Sequence, residues 1–131
     1  VILDTGVIAC VDRGKLEWRD AIGEDDDAVI AAVTAAELLQ GAELGDPRFR
    51  DRRRTFVEGV IADIPVEPYD ISIARHHAHL LAHCRSTGAP RGAHDLMIAA
   101  TAAATGRTVV TTDAKAKFGE LPGVTTRVLA P

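Results

Sequence analysis

The sequence predicts an α/β fold around a central, mainly parallel sheet. Three observations carry the α/β reading. Short apolar runs of strand length alternate with stretches of helical length along the 131 residues. No tight hairpin signal joins consecutive apolar runs, so strands are linked through helices and run parallel. The chain is 47% hydrophobic and 26% charged, enough to bury a core without staples, and its length is that of one domain spanning residues 1–131.

VILD (1–4) is a buried strand ending in an acid. TGVIACVDRG and KLEWRDAIG follow as short helices, and GEDDD as a polar turn. AVIAAV (28–33) is a second buried strand. TAAELLQGAEL (34–44) is a helix whose Thr34 and Glu37 have capping-box spacing. Asp46-Pro47 breaks the chain and opens the helix PRFRDRRRTFVEGVIAD. IPVEPY holds a short strand between two prolines. Residues 70–88 form a helix stopped by Gly88, with Ala74, His77, Ala78, Leu81 and Cys84 as its apolar stripe. His94 to Thr105 is the next helix, ended by Gly106. RTVVTT (107–112) and TTRVLA (125–130) are the last strands.

In open parallel sheets, ligands bind beyond the carboxyl ends of the strands. Asp4 closes the first strand and Asp113 follows RTVVTT. Glu37 lies in the first helical turn after AVIAAV, and Asp95 in the first turn of the 94–105 helix. Each has a local explanation. Asp4 and Asp113 are placed to cap the segments after them, and Glu37 and Asp95 favour the positive ends of their helices. Together, four acids in otherwise apolar surroundings read as a cluster. Carboxylates sharing a small site raise one another's pKa unless a cation is bound. Hard oxygen ligands suit Mg²⁺ or Mn²⁺, and an open acidic metal site suits phosphodiester chemistry.

LDTGVIA, TAAELLQGA, HDLMIAATA and TVVTTD, in this order and spacing, resemble the motifs of PIN-domain ribonucleases, and most closely those of VapC-type toxins of toxin–antitoxin pairs. The resemblance covers essentially the whole chain and implies a PIN-like three-layer α/β/α fold. It implies a metal-dependent endoribonuclease with Asp4, Glu37, Asp95 and Asp113 as its catalytic and metal-binding acids, Asp4 and Asp95 foremost, and Thr111 as a supporting hydroxyl. It also implies Mg²⁺ or Mn²⁺ as cofactor, RNA as substrate, a VapB-type antitoxin as partner and a homodimer, within a toxin–antitoxin hetero-oligomer. Many members carry a further Asp three residues after the last acid. Here that position is Ala116, between Lys115 and Lys117, which leaves one ion or two open.

RFRDRRR (48–54) offers Arg48, Arg50, Arg52, Arg53 and Arg54 as RNA phosphate contacts, or a solvated helix face balanced by nearby acids. Aromatics make up 4% of the chain, so no stacking platform for single-stranded bases is expected, and structured RNA is favoured. HHAHLLAH (76–83) lacks the Glu of a zinc-protease helix and reads as ordinary histidines. Ile8, Val11, Leu16, Trp18 and Ile22 on the N-terminal helices are core, or a groove for an antitoxin segment. Cys10 and Cys84 form no CxxC pair and read as reduced thiols of a cytoplasmic protein. No apolar run reaches the roughly 18 residues of a membrane span.

A net charge of −4 argues against a general nucleic-acid coat but not against a nuclease whose site holds cations. A haloacid-dehalogenase phosphatase would need an acid where Gly6 stands, and a receiver domain would need an acidic pair beside Asp4. The alternative from another class is a non-catalytic RNA- or protein-binding module with a vestigial acidic site.

Overall fold

The computed structural model describes residues 1–131. Five short parallel strands organise it: β1 (Ile2–Leu3), β2 (Ile30–Ala31), β3 (Val66–Glu67), β4 (Thr108–Thr111) and β5 (Thr125–Val128). β1 pairs with β4 and β4 with β5, while β2 pairs with β3. A parallel bridge between Ile2 and Val29, with Leu3 N–H donating to the Val29 carbonyl at 3.0 Å, joins the two sets. The order across the molecule is therefore β3-β2-β1-β4-β5. From β1 the chain winds outward in one direction through β2 and β3, then returns to the other side of β1 with β4. The reversal lies between β1 and β4, where the crevice of a parallel sheet opens to a ligand.

Helices cover both faces. They are α1 (Thr5–Asp12), α2 (Trp18–Ala21), α3 (Ala32–Leu44), α4 (Arg50–Asp63), α5 (Ile71–Thr87) and α6 (Ala93–Thr105). Alternation along each strand sends neighbours to opposite faces. Ile2, Val29, Ala31 and Val109 join Ile73, Leu80, Leu96, Ile98 and Phe118 in one core. Leu3, Ile30 and Val110 join Val7, Ile8, Val60 and Ile64 in the other. The result is the expected three-layer α/β/α arrangement, with every strand pairing parallel.

Several local expectations are corrected. The strand within AVIAAV spans only Ile30–Ala31, and α3 starts at Ala32 with Ala31 as its uncapped N-cap. Thr34 is therefore inside the first turn and fully buried, Glu37 falls beyond that turn, and the Thr34–Glu37 capping box does not form. The tertiary need to bury Thr34 beneath the sheet edge overrides the local capping signal. The helix around Trp18 is a single turn. Pro47–Phe49 is a 3-10 turn ahead of α4, and residues 114–120 form two more such turns, Ala114–Ala116 and Phe118–Glu120.

On α5 the buried residues are Ile73, Leu80 and Cys84, whereas Leu81 is 49% exposed and Ala78 is exposed. The stripe is rotated from the expected one because Ile73 and Leu80, seven residues apart, give the larger apolar face against α6. Gly88 and Gly106 end α5 and α6 in the left-handed conformation, at φ 65° and 66°. Cys10 and Cys84 are free thiols. No helix is long and apolar enough to cross a membrane.

Candidate metal centre

The site begins where β1 stops. Asp4 N–H is still pinned to the Val110 carbonyl of β4 at 2.9 Å, so its backbone belongs to the sheet. Its side chain turns to cap α1, Oδ1 accepting from Thr5 N–H at 2.8 Å. Oδ2 accepts from the Thr111 hydroxyl at 2.7 Å, deep in the structure. The Thr111 hydroxyl in turn accepts from Asp113 N–H at 3.0 Å. That second bond leaves the hydroxyl proton directed at Asp4 and fixes the turn that carries Asp113. Gly6 permits the approach of α1 to this turn, since a Cβ there would stand 3.2 Å from Thr112 Oγ1.

Glu37 reaches the same edge from α3. One oxygen accepts from the Thr5 hydroxyl at 2.9 Å, and the other lies 3.3 Å from His94 Nδ1. Asp95 sits in the first turn of α6, whose N-cap is Gly92. Asp113 caps the turn Ala114–Ala116, accepting from Lys115 N–H and Ala116 N–H at 2.9 and 3.2 Å. Asp4 and Asp113 are thus true caps, and each cap also stands at the end of a central strand. The local and the functional explanations are compatible. A continuous line of hydrogen bonds runs Glu37–Thr5–Asp4–Thr111–Asp113, with Asp95 beside it.

Electrostatics binds the four acids into one unit. Burial pushes the Asp4 carboxyl up from its ordinary range, and the charges of Asp95 and Glu37 add to this, against the hydrogen bonds from Thr111 and Thr5. Burial also raises Asp95, reinforced by Asp113 and Glu37 and opposed by His94 and Arg91. Asp95 is the acid that feels its neighbours on both sides. Asp4, Asp95 and Asp113 form no ion pair with any basic side chain, and Glu37 has only His94.

Oxygen donors that repel one another and lack a protein cation fit a hard divalent ion, which offsets both burial and repulsion. As the side chains stand, no three of them form a ready ligand set. Glu37 is held by Thr5 and His94, and Asp113 by its own turn. Asp4 and Asp95 are the two acids whose carboxyls are pushed above the ordinary range.

The arginines divide into two groups. Arg48, Arg52 and Arg54 pair with Asp46, Asp12 and Glu43 at 2.8, 3.2 and 3.1 Å. Arg50 and Arg53 make no ion pair, and each has a buried Nε without a partner. Arg53 lines a cleft with Thr5, Asp12, Arg13 and Glu37 that opens directly from the acidic centre.

Of the apolar residues on the N-terminal helices, Ile8 and Leu16 belong to the core. Trp18 and Ile22 instead line a groove of about 410 Å³ with Phe56, Val60 and Ile64 of α4. The histidines of α5 form no metal cluster. His77 engages the Tyr69 hydroxyl at 2.8 Å, and His76 engages the Ser72 carbonyl at 2.9 Å.

Two site residues had not been singled out from sequence. Thr5 links Asp4 to Glu37, and His94 approaches Glu37. The available signal was adjacency: a hydroxyl follows Asp4 and a titratable ring precedes Asp95. Neither neighbour reveals that α3 will deliver Glu37 to it.

Residues 1–122 match the PIN domain family. Ribonuclease VapC of Rickettsia bellii is 31% identical over 93% of this chain and 90% of its own length. The tRNA(fMet)-specific endonuclease VapC of Salmonella typhimurium is 35% identical over 72% of this chain and 70% of its own. The crystal structure of DNA-bound VapBC from Salmonella typhimurium contains a chain that superposes with a TM-score of 0.87 at 30% identity, covering 97% of this chain and 96% of that one. The four motifs lie within the matched residues, and the strand order and acid placement accompany them, so the chain belongs to the PIN domain family and, within it, to the VapC ribonucleases.

Proposed function

We propose that this protein is a metal-dependent endoribonuclease, the toxin of a toxin–antitoxin pair, acting in the cytoplasm. The observation that carries the reading is the convergence of Asp4, Glu37, Asp95 and Asp113 at the β1/β4 reversal, where Asp4, Asp95 and Asp113 form no ion pair with a basic side chain. The names of VapC relatives as ribonucleases support the same activity.

In this reading Asp4 and Asp95 are the main ligands of Mg²⁺ or Mn²⁺, and Glu37 and Asp113 complete the site directly or through water. When bound, the ion supplies positive charge that favours deprotonation of water and stabilises charge building on the phosphodiester oxygens. The protein's own part is positional. Thr111 fixes the orientation of the Asp4 carboxylate, and Thr5 holds Glu37 in the same plane of the edge. Arg53, unpaired in the cleft beside Glu37, holds a flanking RNA phosphate, with Arg50 as the second unpaired arginine of α4. Hydrolysis then forms one P–O bond to water and breaks one to the leaving sugar oxygen. Structured RNA is the substrate class. The tRNA(fMet)-specific name of one relative makes tRNA the first to test.

The partner is a VapB-type antitoxin. Its docking place is the groove between α2 and α4, where Trp18 stacks near Phe56 at 6.4 Å between ring centroids. The structurally similar chain comes from a VapBC complex, which supports an antitoxin partner, and an apolar groove suits a partner's amphipathic segment. A homodimer within the toxin–antitoxin hetero-oligomer completes the reading.

The test is cleavage of total RNA and of tRNA by the purified, partner-free protein with Mg²⁺, with Mn²⁺ and with chelator, alongside Asp4→Asn. Discrete fragments that need both the metal and Asp4 are expected. Cleavage that persists in chelator, or in a folded Asp4→Asn variant, contradicts the proposal. Binding of RNA without any cleavage, unaffected by metal, favours the non-catalytic module.

A further inference from the structure

We propose that Arg91 is a positioning residue that sets Asp113 relative to Asp95, and through that spacing tunes the affinity of the centre for a divalent cation. The last part rests on the metal-site reading. The first rests on geometry alone.

Asp95 and Asp113 arrive on different segments, one at the start of α6 and one after β4. Arg91 immediately precedes Gly92, the N-cap of α6. Its side chain is only 14% exposed and reaches across to the turn that Asp113 caps. There Nη1 donates to the carbonyls of both Ala116 and Lys117, the latter at 2.7 Å, and Nη2 lies 3.7 Å from Glu120.

The turn is therefore held from both ends. Asp113 accepts the amides at its N-terminal end, and Arg91 donates to the carbonyls at its C-terminal end, where a guanidinium is favoured. The clamp also secures Lys117, the one non-glycine residue with positive φ, at 51°. That conformation is costly for a side-chain-bearing residue and persists only where its surroundings hold it. The same guanidinium acts electrostatically on Asp95, drawing its carboxyl down against burial. Arg91 thus touches the two acid-bearing segments without being a ligand or contacting substrate.

Charge and clamp make opposite predictions. If Arg91 acted by charge alone, removing it would strengthen cation binding, because a repelling cation is lost. If it acts as a clamp, removing it frees the turn and weakens binding. Lysine keeps the charge but lacks the guanidinium's second terminal nitrogen, which faces Glu120 while Nη1 serves the two carbonyls.

The experiment compares wild type, Arg91→Met, Arg91→Lys and, as control, Glu120→Gln, with two readouts. Without metal, amide hydrogen exchange at Lys115 and Ala116 is expected to rise about tenfold or more in Arg91→Met, with α6 amides from Ile98 to Ala102 unchanged. Arg91→Lys should fall between, and Glu120→Gln should match wild type. In a Mn²⁺ titration, Kd is expected to weaken about tenfold in Arg91→Met and by less in Arg91→Lys.

Unchanged exchange at Lys115 and Ala116 overturns the clamp. Looser exchange with unchanged or tighter Mn²⁺ binding overturns its role in cation affinity. Exchange that rises equally throughout α6 reduces Arg91 to general stability and also overturns the proposal. Absence of Mn²⁺ binding by the wild type defeats the metal-site reading itself and the affinity tuning with it, while the exchange arm still decides the clamp.

Discussion

The Thr111 hydroxyl donates to Asp4 Oδ2 at 2.7 Å while accepting the Asp113 N–H at 3.0 Å. This one side chain joins the acid at the end of β1 to the acid after β4. Thr111 is 1% exposed and Asp4 8%, so neither group has ready access to water as a substitute partner. Thr111→Val should leave a buried carboxylate short of a donor and cost about 1–3 kcal/mol. It should raise the Asp4 carboxyl further and reduce RNA cleavage. Thr111→Ser should recover most of both. Urea denaturation and cleavage rates of the three proteins check this.

The raised carboxyls predict a pH dependence of metal-free stability. Asp4 and Asp95 both hold their protons more tightly folded than unfolded. Within the window from the ordinary carboxylate pKa to the raised one, the native state binds more protons, so stability falls as pH rises. Above the window the full penalty remains. Asp95 is the cleaner probe, because Asp4 also accepts hydrogen bonds from Thr5 and Thr111 that its replacement would disturb. Asp95→Asn should raise the Tm of the chelator-treated protein at pH 7 by about 3 °C, on the scale of one mildly penalised carboxylate. The difference should vanish on acidification. Thermal unfolding between pH 4 and pH 8 measures it, and a lower Tm in the variant at pH 7 would argue against mutual repulsion.

The two groups of arginines should differ in RNA binding. In an Asp4→Asn background, Arg53→Ala should weaken RNA binding and reduce the salt slope by about 1, the effect of losing one phosphate contact. Arg48→Ala, whose guanidinium is already paired with Asp46, should leave the slope nearly unchanged. Equal effects from the two would mean that the basic face acts only as a diffuse field.

The groove predicts a selective loss of partner binding. Trp18→Ala should weaken binding of the cognate antitoxin by tenfold or more, roughly the 1.4 kcal/mol or above that a buried aromatic anchor contributes. RNA cleavage by the free protein should persist, because none of the four acids lines the groove. Calorimetric titration with the antitoxin measures the first effect.

The stripe on α5 shows what sequence could and could not settle. Periodicity marked the helix to within a residue at each end, with Asp70 as N-cap and Gly88 as stop. It placed Leu81 inward because Ala78, Leu81 and Cys84 repeat at helical spacing. The structure buries Leu80 completely and leaves Leu81 half in solvent. Two adjacent leucines satisfy the pattern about equally, and only the position of α6 chooses between them. Accordingly Leu80→Ala should cost about 3 kcal/mol, and Leu81→Ala about 0.5 kcal/mol or less.

The same division holds at the centre. Asp4 and Asp113 were legible because a strand end fixes where the next side chain emerges. Glu37 was legible as an acid near the right edge, but its supposed box with Thr34 was a local signal that the sheet overrode. Thr5, His94 and Arg91 were not legible, since each acts on a segment distant in sequence that only the tertiary fold brings near. Arginine-rich sequence showed a basic helix. Separating Arg50 and Arg53 from their paired neighbours required seeing Asp12, Glu43 and Asp46 in place.

The most direct test of the acidic centre is Mn²⁺ binding by the chelator-treated, partner-free protein, measured by calorimetry beside Asp4→Asn and Asp95→Asn. The account predicts saturable binding by the wild type, a rise in Tm with added ion that follows the measured Kd, and loss of at least tenfold affinity in either variant. Wild type that binds no divalent ion, or variants that bind it as tightly, would contradict the claim that these carboxylates form a metal centre.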